Sequence, residues 1–314
     1  MAFAHKHLID IRDYSAEDIM TILETARNFK HINERRIKKV PTLKGFTVVN
    51  MFNEPSTRTR SSFEIAEKRL SADTLNFGGS GTSTVKGESL TDTVKTLCSY
   101  KVDCIVVRDK HAGVPRKIAD ISGVHVIDAG DGKHQHPTQA LLDLYSIWEA
   151  KGSFDGLHVG IVGDIGHSRV CGSLVPALKI MGCEVTLIAP QTLLPARPDV
   201  LGADHVTSDL DAVLPQLDVV YMLRIQRERF EGAPYPSLRE YNMLYGLTRE
   251  REPLMKPYAV ICHPGPINRG VELDSYMADH PTRSLILDQV YAGVLVRMAV
   301  LYLLLGGADD GADA

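Results

Sequence analysis

The sequence predicts an α/β protein of two lobes, each a mainly parallel sheet flanked by helices. Three observations carry that expectation. The chain has 314 residues, more than one hydrophobic core usually organises. Short β-branched apolar runs alternate with segments of helical periodicity. Midway, at Lys151-Gly152-Ser153, the pattern breaks and a fresh strand and helix series begins. A hydrophobic share of 44% and a charged share of 24% are those of an ordinary globular protein, which excludes a disordered or fibrous chain.

The elements follow in order. Ser15 is placed to cap a helix whose inner face is Ile19, Ile22, Leu23 and Ala26. Residues 47–52 read as a buried strand, stopped by Glu54-Pro55-Ser56, and Phe63, Ala66 and Leu70 mark the inner face of the helix after it. Further strands are predicted at 104–107, 124–127, 157–162, 184–188, 219–222 and 259–262, with helical stretches between most of them. Such alternation gives parallel sheets covered on both faces, with ligands at the carboxyl ends of the strands. A helix around 139–149 closes the first lobe, so the domains are expected at 1–150 and 151–285. The longest apolar run, 298–305, is too short to span a bilayer and lies in a pattern interrupted by Asp288, Gln289 and Arg297; it reads as a buried terminal helix. Residues 307–314 read as a frayed tail.

Composition narrows the partners. A formal charge of −4 argues against a nucleic-acid surface. The one dense basic run, Arg35, Arg36, Lys38 and Lys39, lacks interleaved aromatics and reads as a solvated helix end or loop. Cys98, Cys104, Cys171, Cys183 and Cys262 form no CxxC pair and read as reduced core thiols. No basic and apolar signal segment opens the chain, so a cytoplasmic location is expected, with no membrane partner.

The chemistry concentrates where strands give way to helices. Phe52-Asn53-Glu54-Pro55-Ser56-Thr57-Arg58-Thr59-Arg60 sets hydroxyls and a guanidinium at a helix entrance, where outward N–H groups and the helix dipole favour an anion. Alone, that stretch also fits a capped surface helix. Arg108 directly follows the predicted strand at 104–107, and His136-Pro137-Thr138-Gln139 opens a helix with proline suited to its first turn. His134 and His136 alternate as paired ligands could, but no cysteine or carboxylate cluster completes a zinc set, so neither metal nor cofactor is expected. The stretch Val159-Gly160-Ile161-Val162-Gly163-Asp164-Ile165-Gly166 lacks the G-x-G-x-x-G spacing of a dinucleotide site.

Ser56-Thr57-Arg58-Thr59-Arg60, Arg108 and His136-Pro137-Thr138-Gln139, in this order, resemble the aspartate and ornithine carbamoyltransferase family, and the resemblance runs over nearly the whole chain. It implies a carbamoyl-phosphate lobe at 1–150, onto which a helix at 286–306 packs back, and an amino-acid lobe at 151–285. It implies that Ser56, Thr57, Arg58, Thr59 and Arg108 hold the phosphate. Thr59, Arg108 and His136 would face the carbamoyl oxygen, with Gln139 and the carbonyls of Gly265 and Pro266 at the amide. Every matched position carries a competent side chain, which disfavours a catalytically silent scaffold.

The second substrate follows from charge. Aspartate needs cations for two carboxylates, whereas ornithine needs an acid or a polar shell for an ammonium. Arg169 and Arg224 both lie past predicted strand ends. By resemblance, Arg169 takes the α-carboxylate and Arg224 with Gln226 the side-chain carboxylate. His263-Pro264-Gly265-Pro266 departs from the His-Cys-Leu-Pro pattern of ornithine enzymes, and a cis bond is expected before Pro266. The resemblance also implies that Lys86, with a hydroxyl of Thr82 or Ser83, enters the site of a neighbouring subunit in a homotrimer. It implies that Glu54 bridges to Arg169 and Arg229 as the lobes close, and it leaves room for regulatory or dihydroorotase chains. The expected reaction carbamoylates the α-amine of L-aspartate, giving N-carbamoyl-L-aspartate and phosphate, an early step of pyrimidine biosynthesis.

Overall fold

The computed structural model describes residues 3–78, 88–226 and 237–306. They form two compact units: one of the described residues up to Leu142 together with those from Tyr291 onward, the other of Asp143–Val290.

The first unit begins with α1 (Ala16–Glu34), whose entrance is a capping box in which Ser15 and Asp18 satisfy each other's backbone N–H groups. Then come β1 (Thr47–Phe52), α2 (Thr57–Leu70), β2 (Asp73–Phe77), α3 (Leu90–Ser99), β3 (Cys104–Asp109), α4 (Val114–Ser122), β4 (His125–Asp131) and α5 (Pro137–Lys151). The sheet is parallel, in the order β2-β1-β3-β4. Alternate residues of each strand point to opposite faces. Val49, Met51, Ile105, Val107 and Val126 form one face, against Val94 and Leu97 of α3 and Ile118 of α4. On the other face α2 buries Phe63, Ala66 and Leu70. Both faces are therefore covered, which is why β3 opens with four consecutive apolar residues and β1 is apolar but for Thr47 and the buried Asn50.

Two departures from the sequence reading arise here. β4 runs on to Asp131, through the buried Asp128, because its polar residues point into hydrogen-bonded positions rather than solvent. β2 was not predicted as a strand; it is an edge strand with mostly exposed or half-buried residues, so no apolar run announces it.

The second unit takes the end of α5 and continues with β5 (His158–Val162), α6 (Arg169–Ile180), β6 (Glu184–Ile188), β7 (His205–Thr207), α7 (Leu210–Val213), β8 (Val219–Met222), α8 (Leu238–Tyr245), β9 (Val260–Cys262) and α9 (Ser275–Ala278). Its sheet is also parallel, in the order β7-β6-β5-β8-β9. β7 is the second unpredicted strand, again short, exposed and at an edge. The last helix, α10 (Ile286–Leu305), starts in this unit and continues in the first, where Tyr302 meets Phe29 of α1 edge-on at 5.8 Å. It is long and apolar enough to cross a membrane by length alone, but 67% of its apolar window is buried against protein, as in a core helix.

Gly160 in β5 and Gly163 just after it have packing reasons. A Cβ at Gly160 would come within 2.3 Å of Leu217 Cδ1 and 3.0 Å of Ile188 Cδ1, and Gly163, at φ +126°, would meet the Leu223 carbonyl oxygen at 2.9 Å. Gly160 thus admits neighbouring side chains, not a dinucleotide. Gly160→Ala is expected to lower the unfolding free energy by about 1–3 kcal/mol through overpacking, measured by urea titration. An unchanged midpoint would mean that Leu217 moves aside at no cost.

Candidate active site

Each sheet reverses its strand order once, between β1 and β3 and between β5 and β8, and a parallel sheet opens a crevice at the carboxyl ends of such a pair. Ser56 to Thr59, Arg108, Arg169 and Arg224 lie at or just past these four strand ends, whereas His136 and Gln139 follow β4 and Gly265 and Pro266 follow β9. In the first unit, Phe52 pairs with Arg108, and Asn53 N–H donates to the Arg108 carbonyl at 2.9 Å. Arg108 is therefore the penultimate residue of β3 rather than the residue after it.

The entrance of α2 differs from those of α1, α3 and α8. Ser15, Ser89 and Ser237 each accept a hydrogen bond from the N–H three residues on, and acids occupy the first turns of α1, α3 and α8. Ser56, at the same position of α2, makes no such bond, and the first turn holds no acid. The helix's positive end is thus left to an incoming anion, with Thr57 and Arg58 exposed beside it and Thr59 buried.

Arg108 ties this entrance to the sheet. Its Nε donates to Glu54 Oε1 at 2.7 Å, and one terminal nitrogen lies 3.2 Å from the Ala129 carbonyl and 3.4 Å from Thr59 Oγ1. Glu54 and Arg108 side chains are each only 16% exposed, so their attraction is weakly screened. This pairing, which neutralises a carboxylate beside an anion site, was not foreseen. The expected partner Arg229 lies outside the described residues, as do Lys86, Thr82 and Ser83.

His136 and Gln139 are buried at the first turn of α5. Arg297 of α10 braces that turn against α2: its guanidinium lies 5.1 Å from the centre of the Phe63 ring, and Nη2 is 3.4 Å from Thr138 Oγ1. Nothing in its apolar surroundings marked Arg297 as a brace. His134 spends Nδ1 on Asp131, at 3.0 Å.

In the second unit Arg169 is the buried first residue of α6, behind Ser168, which makes no side-chain cap bond. Arg224 is half-buried two residues past β8. Between them the fully buried Asp164 accepts from His167 Nδ1 at 2.7 Å, if that nitrogen carries the proton, and from Gln226 N–H at 3.3 Å; Gln226 Nε2 donates to the His167 carbonyl at 3.2 Å. Burial pushes the Asp164 carboxyl up, against the pull of His167. This chain of contacts orients Gln226, which the sequence reading had placed in the site without a support.

The His263–Pro266 turn is held by groups the sequence did not reveal. Gly265 N–H donates to His263 Nδ1 at 2.8 Å, which leaves the proton on Nε2, 3.2 Å from Glu272 Oε1. The same oxygen accepts from Asn268 N–H at 2.6 Å, and both side chains of the His263–Glu272 pair are fully buried. Behind them, His263 N–H donates to Gln289, Gln289 to Asp143, and Tyr221 OH to Asp143, at 2.9, 2.7 and 2.7 Å. The Gly265–Pro266 bond is cis, as expected.

Residues 6–149 match the carbamoyl-P binding domain described for aspartate/ornithine carbamoyltransferases, and residues 155–304 match their Asp/Orn binding domain. The chain belongs to the aspartate/ornithine carbamoyltransferase family. Within that family it is 55% identical over 307 residues to the aspartate carbamoyltransferase catalytic subunit of Syntrophotalea carbinolica, covering 98% of this chain and 97% of the relative. Among solved structures, it superposes with a TM-score of 0.87 and 30% identity on the aspartate transcarbamoylase of Trypanosoma cruzi in complex with carbamoyl phosphate and aspartate, over 96% and 97% of the two chains. The catalytic subunit of the M. jannaschii enzyme gives 0.84 and 36%, over 98% and 100%. The two domains of the family correspond to the two parallel sheets, each with its own reversal point.

Proposed function

We propose that this carbamoyltransferase moves the carbamoyl group of carbamoyl phosphate onto the α-amine of L-aspartate, forming N-carbamoyl-L-aspartate and phosphate. The observation that carries the choice of acceptor is the pair of cations, Arg169 and Arg224, at the two strand exits flanking the reversal in the second sheet. Two guanidiniums suit a dicarboxylate and repel the ammonium of ornithine. The naming of the Syntrophotalea relative and the ligands of the Trypanosoma structure support the same reading.

On this reading the phosphate sits at the uncapped entrance of α2 with Ser56, Thr57, Arg58 and Thr59. Arg108, Thr59 and His136 face the carbonyl oxygen, with Gln139 and the carbonyls of Gly265 and Pro266 at the amide. The unprotonated amine attacks the carbamoyl carbon, the C–N bond forms, the C–O bond to phosphate breaks, and the departing phosphate takes the amine proton. Negative charge grows on the carbonyl oxygen, where preorganised donors act most strongly. No protein nucleophile is needed; positioning supplies the rest. Lys86 from a neighbouring subunit of a homotrimer completes the aspartate side, and Glu54 exchanges its partner for Arg169 and Arg229 when substrates are bound. The reduced cysteines fit a cytoplasmic setting.

The test is a colorimetric ureido assay on the purified chain with carbamoyl phosphate and either aspartate or ornithine, with its mass measured in solution. Product is expected with aspartate alone, from a species of three chains. Product with ornithine alone would overturn the acceptor assignment.

A further inference from the structure

Glu67 lies on α2 eight residues beyond Thr59, about two turns along the helix. It is fully buried, on the face turned to the sheet. Its carboxyl accepts from Asn50 Nδ2 at Oε2, at 2.9 Å, and the Thr74 hydroxyl of β2 lies beside it. Asn50 is the fourth residue of β1, equally buried, and lies in the middle of the sheet between Asn76 of β2 and Val106 of β3. Two atoms of this pair are left over. Glu67 Oε1 and Asn50 Oδ1 are buried and make no hydrogen bond.

If the carboxyl were ionised, the Thr74 hydroxyl, itself buried and otherwise unbonded, would serve Glu67 Oε1, but Asn50 Oδ1 would still face no donor, at the cost of an unsatisfied buried group. One proton removes the conflict. The O–H of a neutral Glu67 donates to Asn50 Oδ1 while Asn50 Nδ2 donates to Glu67 Oε2, closing an acid–amide ring that uses both leftover atoms. The surroundings favour that form. Thr74 on β2, the buried thiol of Cys104 on β3, and Glu64 and Lys68 on the same helix are the polar and titratable groups that face it. Burial pushes the carboxyl up, with Glu64 adding to it and Thr74, Asn50 and Lys68 opposing, to about 7.

The place of the pair matters because β1 and α2 are the two arms of the turn that carries Glu54, Ser56, Thr57 and Arg58. We propose that Glu67 is held as the uncharged acid, bonded in both directions to Asn50, and that this clasp positions the first turn of α2 against the end of β1, so that losing the proton weakens phosphate binding. The positioning role rests on the assignment of that turn as the phosphate site; the protonation does not.

The experiment compares the full chain with Glu67→Gln, whose amide keeps both hydrogen bonds and cannot titrate. Infrared difference spectra between about pH 6 and about pH 9 are expected to show the loss of a protonated-carboxyl band that the variant lacks. Titration calorimetry with inorganic phosphate is done at both pH values, and the ratio of the two proteins' dissociation constants cancels phosphate's own ionisation. That ratio is expected near one at the lower pH, with the unaltered chain binding about tenfold more weakly at the higher pH, a loss the size of one unsatisfied buried acceptor. Absence of the band, or a ratio that stays constant with pH, overturns the proposal. Failure of both proteins to bind phosphate at either pH overturns the site assignment and the positioning role with it, while the infrared band still decides the proton.

Discussion

Arg108→Met is expected to lower kcat/KM for carbamoyl phosphate by about a hundred- to a thousandfold, the usual loss when a preorganised donor is removed from a developing oxyanion. The structure gives the loss two parts. The guanidinium that reaches Thr59 Oγ1 and the Ala129 carbonyl disappears, and with it the donor proposed for the carbonyl oxygen. At the same time Glu54 loses the cation 2.7 Å from its carboxylate, in a place only 16% exposed, and its charge then opposes the incoming phosphate. The second part is separable. In Arg108→Met with Glu54→Gln, about tenfold of the lost activity is expected to return, because the repulsive charge is gone while the missing donor is not. A steady-state comparison of the three proteins decides it, and a double variant no better than the single one would show that Glu54 does not face the ligand.

Glu272→Ala is expected to destabilise the protein by about 3 kcal/mol, since the buried His263 Nε2–H and the half-buried Asn268 N–H lose their common acceptor. Glu272→Gln keeps a side-chain oxygen there and is expected to cost about 1 kcal/mol. Urea titration measures both. The functional part of the expectation concerns the Gly265–Pro266 carbonyls: His263 accepts from Gly265 N–H, so freeing its ring loosens the turn that presents them. Turnover is therefore expected to fall in Glu272→Ala even where the folded fraction is complete. Turnover equal to that of the unaltered chain under those conditions would remove the turn from the site.

The strands that the sequence revealed are those buried on both faces. β3, β5, β6, β8 and β9 carry short apolar or β-branched runs, and β1 does so around the buried Asn50, because most of their residues are shielded from water. β2 and β7 were hidden because their residues are mostly exposed or half-buried, unlike the buried edge strands β4 and β9, and Asp73-Thr74-Leu75-Asn76-Phe77 alternates as any surface segment could. The site shows the same division. Ser56 to Arg60, Arg108, His136, Arg169 and Arg224 stand at strand exits or helix entrances, and local pattern alone placed them there. Their supports did not show. Glu54 meets Arg108 across 54 residues of chain, and Gln289 meets Asp143 across 146, so no window of sequence contains both partners. Glu272 bears no local signal and Arg297 reads only as an interruption of an apolar pattern, and the packing turns them into fixtures of a turn and a helix entrance.

The missing cap at Ser56 has a consequence for the direction of the proposed reaction. A helix entrance short of its own cap is completed by any tetrahedral oxyanion, whether it arrives as an ester or departs as free phosphate. Affinity is then lodged in the half of the donor substrate that becomes the by-product. Such an enzyme recognises its donor by a handle that survives the chemistry unchanged, and it must discard that handle before the next cycle. Phosphate accumulating around it competes with fresh donor for the same N–H groups, which ties the rate of the step to how fast the surroundings carry phosphate away.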